Sequence, residues 1–310
     1  MSGKNRKIDP VSFPDGVLVV DKPIGPTSHD VVTLARRALG VSRIGHTGTL
    51  DPMAGGVLPL VVGRATRLAQ YLTAGLKDYE ATVAFGRTTD TYDAVGNVLT
   101  TSSDRPTRAQ LDAAIAAFQG TFEQTPPAFS AKNIDGARSY TLARRPGMAT
   151  VLPKAVTVTV ERLEVLSFDG ESARLSMRVG AGFYVRSLAH DLGTALGMGA
   201  VLETLRRTRS GDFDLRHAVP LAEVLQLSRE ALADRVIPFD QLLPEVPSVV
   251  LREGIPERVK NGLEVGPNDV SGAMGEISGL VRLLGPDGRL VGLAKPGKTP
   301  GFLHAAVVLG

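Results

Sequence analysis

The 310-residue sequence predicts an α+β fold that ends in a small, separate all-β domain. Strand-like and helix-like patterns are mixed along the chain and include hairpin signals, but they show no regular β–α–β alternation, which argues against a doubly wound parallel sheet. Pro238, Pro244 and Pro247 interrupt the pattern near residue 240, and short strand patterns follow them. The length also suggests two domains, taking about 150 residues per domain.

Local signals predict the elements in the first 120 residues. A side chain that can cap a helix precedes each helical pattern and a glycine follows it, as at typical helix ends. In order, the predicted elements are a disordered basic tail at 1–10, a buried strand at Val17–Val20, a helix capped by Thr27 or Ser28 and stopped by Gly40, a strand at Asp78–Phe85, and a helix capped by Thr107 and ended by Gly120.

The remaining elements are predicted from alternation and from turn residues. Asp-Gly between two alternating runs is a strong hairpin signal, and it occurs at 169–170 and again at 287–288. The predicted elements are strands at Val156–Leu166 and Ala173–Val179, a helix at Ser187–Leu196, a hairpin in "LVRLLGPDGRLVGLA", and a final strand in "FLHAAVVLG".

Composition excludes several classes of protein. The chain has no cysteine, which excludes disulfides, cysteine–zinc sites and thiol nucleophiles and fits a reducing compartment. No signal-peptide pattern is found at the N-terminus. The uncharged run Pro52–Gly63 has 12 residues, whereas a membrane helix needs about 20. We therefore expect a soluble, cytoplasmic protein that does not enter a membrane.

The charge distribution is compatible with a nucleic-acid ligand. The net charge is +3, and residues 241–310 carry 7 basic and 7 acidic side chains, so the excess lies in 1–240. Five bases and one acid lie in Lys132–Lys154, and five bases and two acids lie in Arg178–Arg209. Such clusters suit a phosphate backbone, although a solvated basic face explains them at least as well.

One motif matches a nucleotide-binding pattern but lacks its context. "GLAKPGKT" at 292–299 fits G-x-x-x-x-G-K-[ST], a loop that needs a helix immediately after it to bind phosphates. Pro300 and Gly301 follow instead, and an antiparallel hairpin precedes it, so a surface turn is the better interpretation. The five histidines show no metal-ligand spacing. We therefore expect no nucleotide cofactor and no metal.

The stretch "GHTGTLDPMAGG" at 45–56 is the main candidate for chemistry. Its single carboxylate, Asp51, has Arg43, Arg64 and Arg67 as its nearest charges in the sequence. An arginine nearby favours the ionised form of a carboxylate, and an ionised aspartate is a candidate nucleophile. Flanking glycines would let a planar substrate approach the backbone. The alternative, taken from these residues alone, is an Asp-Pro turn at the surface.

Five blocks with a recognisable pattern occur in order along the chain. They are "GVLVVDKPIGPTSHDVV", "RIGHTGTLDPMAGGVLPLVVGRATRL", "KDYEATVAFGRTTDTYDAVG", "QTPPAFSAKNIDGARSYTLAR" and "GAGFYVRSLAHDLG…LRRTRSG". Together they resemble the bacterial tRNA pseudouridine-55 synthase family. The resemblance implies a pseudouridine-synthase-like mixed, largely antiparallel sheet flanked by helices and loops. It further implies a catalytic domain at 11–240 and a PUA-like RNA-binding domain at 241–310.

The resemblance also implies a role for individual residues. Asp51 matches the family's nucleophile, Tyr79 the tyrosine that would stack on the flipped base, and Arg186 the arginine that would pair with Asp51. Six further positions match substrate-binding blocks: His46 for holding the target loop, Tyr184 and Leu205 for lining the base pocket, Lys22 and Asp93 for structural support or RNA contact, and Lys132 for a phosphate contact.

The implied reaction converts uridine 55 in the tRNA T-loop to pseudouridine. It breaks the N1–C1′ bond and joins C5 to C1′, an isomerisation that needs no cofactor. Whether Asp51 attacks C6 or C1′ stays open. The expected partner is the tRNA T stem-loop, and we expect a monomer. The rival hypotheses are a non-catalytic tRNA-binding or tRNA-folding chaperone, and an NTP-dependent RNA enzyme built on the "GLAKPGKT" motif.

Overall fold

A computed structural model describes residues 13–128, 133–134, 137–138, 153–272, 274–275 and 277–309. The predicted basic tail at 1–10 lies outside these residues. The strands are β1 Gly16–Lys22, β2 Ile44–His46, β3 Ala54–Val62, β4 Lys77–Phe85, β5 Arg87–Thr89, β6 Val98–Thr101, β7 Gly120–Gln124, β8 Asn133–Ile134, β9 Ala137–Arg138, β10 Val156–Phe168, β11 Ser172–Val179, β12 Ala200–Ser210, β13 Phe213–Asp214, β14 Val219–Pro220, β15 Ile237–Pro238, β16 Ser248–Val250, β17 Val281–Leu284, β18 Leu290–Pro296 and β19 Leu303–Val308.

Helices are short and lie between these strands. Helical turns of the tighter 3₁₀ type also occur, for example at Gly63–Leu68. The α-helices of the described residues are α1 Ser28–Leu39, α2 Ala69–Thr73, α3 Arg108–Ala116, α4 Val185–Ala195, α5 Leu221–Val224, α6 Arg229–Ala233 and α7 Ile255–Lys260.

The predicted α+β class is confirmed by the sheet. Among the described residues the main sheet has 11 strands, in the order β14-β1-β3-β12-β4-β11-β10-β7, with β2, β13 and β15 pairing at its sides. Parallel pairing occurs between β1 and β14 and between β3 and β12, and the other pairs of this sheet are antiparallel. The sheet is therefore mixed and largely antiparallel. β12 lies between β3 and β4 although it follows them by more than 100 residues.

Local capping chemistry accounts for the predicted helix starts. Thr27 caps α1 and forms a capping box with Asp30, and Gly40 ends the helix in the left-handed region at φ 64°. Thr107 forms the same type of box with Gln110 at the start of α3. One predicted end is wrong: α3 stops at Ala116, and Gly120 instead begins β7 with φ 82°.

The strands β1 and β3 are buried on both faces. Leu18 and Val20 belong to the core under α1, whereas Val17 and Val19 belong to a second core that includes residues of the C-terminal sheet. Both strands read as continuous apolar runs because neither face meets water. The uncharged run Pro52–Gly63, too short for a membrane helix, is thus largely the central strand β3.

The C-terminal region forms a separate sheet in the order β16-β17-β18-β19. Leu283 and Ala294 face a core of its own with α7, whereas Leu293 and Val307 face the core shared with β1 and β3. One face of the C-terminal sheet therefore packs against the face of the main sheet that β1 and β3 form, and both faces are buried. No described helix is long and apolar enough to cross a membrane.

The "GLAKPGKT" motif is a strand followed by a turn. Its first five residues belong to β18, which pairs antiparallel with β19. The turn closes where the Gly297 amide donates to the Phe302 carbonyl at 2.8 Å. The segment from 297 to 302 contains no helix that could bind phosphate, as the sequence context predicts.

Candidate active site

Asp51 lies in the loop that joins β2 to β3, three residues before β3 begins. The Ala54 amide donates to the Asp51 carbonyl at 3.0 Å, so the chain turns directly into the strand. The Asp51 side chain is 36% exposed, and its Oδ2 is 2.8 Å from Nε of Arg186. The loop thus presents one carboxylate to solvent with a guanidinium behind it.

Contacts from the first residue of α1 and from the segment before it hold this loop. Ser28 Oγ donates to the Leu50 carbonyl at 3.0 Å and accepts from the Leu50 amide at 2.8 Å. The Gly25 amide donates to the Pro52 carbonyl at 2.8 Å. The residues on both sides of Asp51 are therefore fixed to the segment that leads into α1.

Arg207 holds the same loop from β12. Its Nε donates to the Val57 carbonyl at 2.8 Å and its Nη2 donates to the Gly48 carbonyl at 3.1 Å. Gly56, at φ 105°, allows this approach, since a Cβ there would lie 2.1 Å from the Arg207 carbonyl oxygen. We expected the glycines of this stretch to admit a substrate, but Gly56 instead admits a neighbouring strand.

Arg186 is buried at the start of α4 between two carboxylates. Its Nη1 donates to the Thr91 carbonyl at 3.1 Å and lies 3.9 Å from Asp93 Oδ2. Asp93 is itself held, because its Oδ1 accepts from Thr91 Oγ1 at 2.7 Å and from the Val95 amide at 3.1 Å. The arrangement Asp51–Arg186–Asp93 fixes the guanidinium and, through it, the exposed carboxylate.

Asp51 and Arg186 line a cavity of about 240 Å³ together with Tyr79, Tyr184 and Leu205. Tyr79 is buried on β4 and lies opposite Arg207 of β12 in the sheet register. The backbone of Tyr184 is held on both sides by one side chain: its amide donates to Oε1 of Gln124 at 2.8 Å, and Nε2 of Gln124 donates to its carbonyl at 3.0 Å. Five of the residues selected from the sequence thus meet at one cavity.

Lys22 and His46 lie outside that cavity. Lys22 is fully buried and its Nζ donates to the carbonyls of Pro23 and Pro26 at 2.9 and 2.8 Å, so it supports the loop before α1. His46 lies half-buried on β2, where burial and, to a smaller extent, the charge of Arg207 lower its pKa. Lys132 lies outside the described residues, as does most of the basic cluster at 132–154.

The arginines nearest to Asp51 in the sequence do not contact it. Arg43 donates to Thr66 Oγ1, Arg64 pairs with Asp15, and Arg67 donates to the Val308 carbonyl. Closeness in the sequence therefore does not identify the partner of Asp51. The partner lies 135 positions further along, on α4.

The basic cluster at 178–209 is also not a free cationic surface. Arg207 is buried and Arg186 pairs with Asp51. Arg178, Arg206 and Arg209 form ion pairs with Asp78 and Asp21. Since each charge has an internal partner or is buried, this cluster is much weaker as a phosphate-binding surface than its sequence suggests.

Three residues that hold or line this site were not predicted from the sequence: Lys77, Arg207 and Gln124. Lys77 and Arg207 are each two positions from a selected residue on the same strand, and strand alternation places them on the same face as Tyr79 and Leu205. That signal was available in the sequence. Gln124 gives no such signal, because its contact spans 60 positions.

The described residues contain no group of three or more His, Cys, Asp or Glu side chains arranged to hold a metal ion. The ionisable side chains that line the cavity are one carboxylate, two phenols and three cations. A carboxylate beside an aromatic ring can serve as a nucleophile toward a stacked planar substrate.

Comparison with known proteins gives a consistent result. The family model "TruB family pseudouridylate synthase (N terminal domain)" matches residues 36–185, and "tRNA pseudouridylate synthase B C-terminal domain" matches residues 186–244. The tRNA pseudouridine synthase B of Solibacter usitatus is 48% identical over 250 residues, which cover 80% of this chain and 85% of that protein. The protein of the same name from an Azoarcus species is 42% identical over 271 residues, covering 87% and 89%.

The fold is also similar to solved structures. A chain in the structure of an H/ACA RNP bound to a substrate RNA containing 2′-deoxyuridine superposes with a TM-score of 0.73 and 25% sequence identity. The match covers 96% of this chain and 86% of that chain.

Proposed function

The chain belongs to the TruB family of pseudouridylate synthases, and from that premise we propose that it converts uridine 55 in the T-loop of tRNA to pseudouridine with Asp51 as the nucleophile. The observation that carries the proposal is the ion pair of 2.8 Å between Asp51 and Arg186. It lies at the wall of a cavity that also contains Tyr79 and Leu205.

The cavity residues suit the steps that this reaction requires. The target base has to leave its stack, which costs a few kcal/mol. Stacking on Tyr79 would return about 1–3 kcal/mol, and Leu205 and Tyr184 would enclose the other side of the ring. Arg186 would hold the Asp51 carboxylate toward the sugar and base. No redox partner, nucleotide or metal enters the reaction, since it is an isomerisation.

The remaining chain would bind the tRNA outside the target nucleotide. We propose a catalytic domain at 11–240 and a PUA-like RNA-binding domain at 241–310, a division supported by the separate C-terminal core around Leu283. His46 would steady the target loop and Lys132 would contact a phosphate. We further propose that the protein acts as a monomer and in the cytoplasm, where tRNA is found.

The test replaces the Asp51 carboxylate with an amide of nearly the same volume. Asp51→Asn should abolish tritium release from tRNA labelled at C5 of uridine, because an amide is a far weaker nucleophile, while the tRNA dissociation constant stays near that of the wild type. Asp112→Asn is the matched control, since Asp112 is an exposed acid on α3 that pairs with Arg108. It should release tritium at the wild-type rate.

Mapping of the modified nucleotide tests the position. A transcript that carries cytidine at position 55 should release no tritium. Full release by Asp51→Asn would refute the nucleophile. If the wild-type protein binds tRNA but converts no uridine, the protein is the non-catalytic binder or folding chaperone instead.

A further inference from the structure

Two buried cations line the cavity without a carboxylate partner. Lys77 on β4 is 6% exposed and Arg207 on β12 is 1% exposed, and both line the cavity that contains Asp51. Among the described residues neither forms an ion pair. Both cations contact backbone carbonyls, but a buried charge is costly unless a charge of opposite sign is paired with it, so these contacts offset the cost only in part.

The sheet register directs both cations to the same side as Tyr79. Lys77 and Tyr79 are two positions apart on β4, and Tyr79 is the direct partner of Arg207 on β12. Residues at this spacing, and directly opposed residues, share one face of a sheet. The cations and the tyrosine therefore form one surface of the cavity.

Each cation keeps hydrogen-bond donors that the described protein does not use. Lys77 Nζ donates to the carbonyls of Thr73 and Gly75, both at 2.6 Å, which leaves the third proton of its ammonium. Arg207 uses Nε and Nη2 on backbone carbonyls, and its Nη1 has no hydrogen-bond acceptor in the described part of the chain. These donors are available to an oxygen in the cavity.

The electrostatics favour an incoming negative charge. Burial first, and then the charge of Arg207, lower the pKa of Lys77 to about 8. Arg207 acts in the same direction on the pKa of Lys22. Asp51 is the one carboxylate among the described residues that line the cavity, and it is already paired with Arg186. An anionic group on the ligand would relieve this repulsion.

We propose that Lys77 and Arg207 stabilise the negative charge that the uracil ring acquires during the reaction, Lys77 as a catalytic residue and Arg207 beside it. The inference rests on the proposed function and adds to it the groups that accept the charge. It holds for either route by which Asp51 can act.

In the C1′ route an oxygen of Asp51 forms a bond to C1′ while the N1–C1′ bond breaks. The bonding pair stays on N1, so uracil leaves as an anion whose charge spreads to O2 and O4. C5 then attacks C1′, the Asp51 carboxylate departs with its electron pair, and the C5 proton is lost while N1 gains one. In the C6 route the Asp51 oxygen bonds to C6, and the C5–C6 π pair moves to give an enolate on O4.

Both routes transfer the charge of Asp51 to uracil oxygens inside the cavity. Fixed cations there stabilise a transition state more than they would in water. Removing one such donor from a preorganised site typically lowers the rate about 100- to 1,000-fold.

The first experiment measures single-turnover conversion of uridine by Lys77→Met. We expect a rate about 100- to 1,000-fold lower, with the tRNA dissociation constant within about threefold of the wild type, because a residue buried in the cavity contacts no exposed phosphate of the stem. Arg108→Met is the control, because it also replaces a cation with methionine, on α3, where the exposed Arg108 pairs with Asp112. That control should keep the wild-type rate.

The second experiment separates charge stabilisation from a structural role. A 5-fluoro substituent withdraws electrons and stabilises the uracil anion by itself. The ratio of the wild-type rate to the Lys77→Met rate, measured as consumption of the target nucleotide, should therefore be at least about tenfold smaller with 5-fluorouridine than with uridine. A tenfold difference corresponds to one pKa unit of electrostatic stabilisation. Lys77→Gln keeps N–H donors for the two carbonyls but loses the charge, so it should be as slow as Lys77→Met. It replaces Lys77→Met in both experiments if the methionine variant does not fold.

Three outcomes would overturn the inference: wild-type speed in Lys77→Met, a normal rate restored by Lys77→Gln, or equal slowing on both nucleotides. If the wild-type protein converts no uridine at all, the proposed function fails, and that result is distinct from any failure of Lys77.

Discussion

At the residue scale, the orientation of Asp51 is determined mainly by the contacts that other parts of the protein make with the residues before and after it. Ser28 bonds both backbone groups of Leu50, Gly25 bonds Pro52, and Arg207 bonds Gly48. The Asp51 side chain itself has one strong partner, Arg186. The position of the Asp51 carboxylate therefore depends on residues outside the cavity, such as Ser28 and Gly25, as well as on Arg186 and Arg207 in its wall.

We predict that Ser28→Ala lowers both stability and rate. Ser28 is buried, and its loss leaves the Leu50 amide and carbonyl without partners, which should cost about 1–3 kcal/mol of unfolding free energy. The measurements are urea denaturation and single-turnover tritium release. The exposed Ser278 gives the control Ser278→Ala, which should change neither quantity. A normal rate in Ser28→Ala would show that Asp51 needs no such anchor.

The site residues were only partly predictable from the sequence. The glycine-rich stretch and its single acid are local features, and they drew attention to Asp51. The identity of its partner is not local: Arg43, Arg64 and Arg67 are close in sequence yet point elsewhere, and Arg186 reaches Asp51 from α4. Only the family resemblance supplied that pair.

At the element scale, the close packing of β3 against β12 decides where the loop sits. Their parallel register sets Gly56 beside Arg207. A glycine is required there for two reasons, the positive φ and the absence of room for a Cβ. Helix starts such as Thr27 and Thr107 were predictable because capping is a local interaction, whereas this strand order depends on contacts between distant segments.

We predict that Gly56→Ala destabilises the protein by about 2–5 kcal/mol, from backbone strain together with overpacking. The added Cβ would lie 2.1 Å from the Arg207 carbonyl oxygen, so β3 and β12 would have to separate. Gly279→Ala is the control, because its Cβ would meet nothing within 4 Å. Chemical denaturation of both variants checks the prediction, and equal stabilities would contradict the packing argument.

At the scale of the whole molecule, the C-terminal sheet is a structural part of the catalytic region. It covers the outer face of β1 and β3 through the shared core. Arg64 Nη1 donates to the Leu309 carbonyl at 2.8 Å, and Leu290 donates its amide to Asp240 at 2.6 Å. The prolines near residue 240 signalled a boundary, but they gave no sign of this contact.

We predict that Leu293→Ala weakens both sheets together. Leu293 belongs to the shared core, and truncation of a buried leucine costs about 2–5 kcal/mol. Hydrogen exchange should show faster opening of the Val17 and Val19 amides on β1. Leu283→Ala is the comparison, since Leu283 faces the separate C-terminal core, and its effect should be concentrated in β16–β19. Unchanged exchange at β1 in Leu293→Ala would mean that the two sheets open independently.

The position of β12 also sets the order in which the protein can mature during translation. β3 can pair early with β1 and β2, and β4 can pair with β11, but the 54–56 edge of β3 and the second edge of β4 stay unpaired until residues 200–210 have emerged. Lys77, Tyr79 and Asp51 do not share the cavity that Leu205 and Arg207 complete before then. Contacts between segments so distant form slowly. A ribosome-bound chain that stops short of residue 210 therefore exposes these two strand edges and lacks the cavity that contains Asp51, and exposed strand edges of this kind favour aggregation.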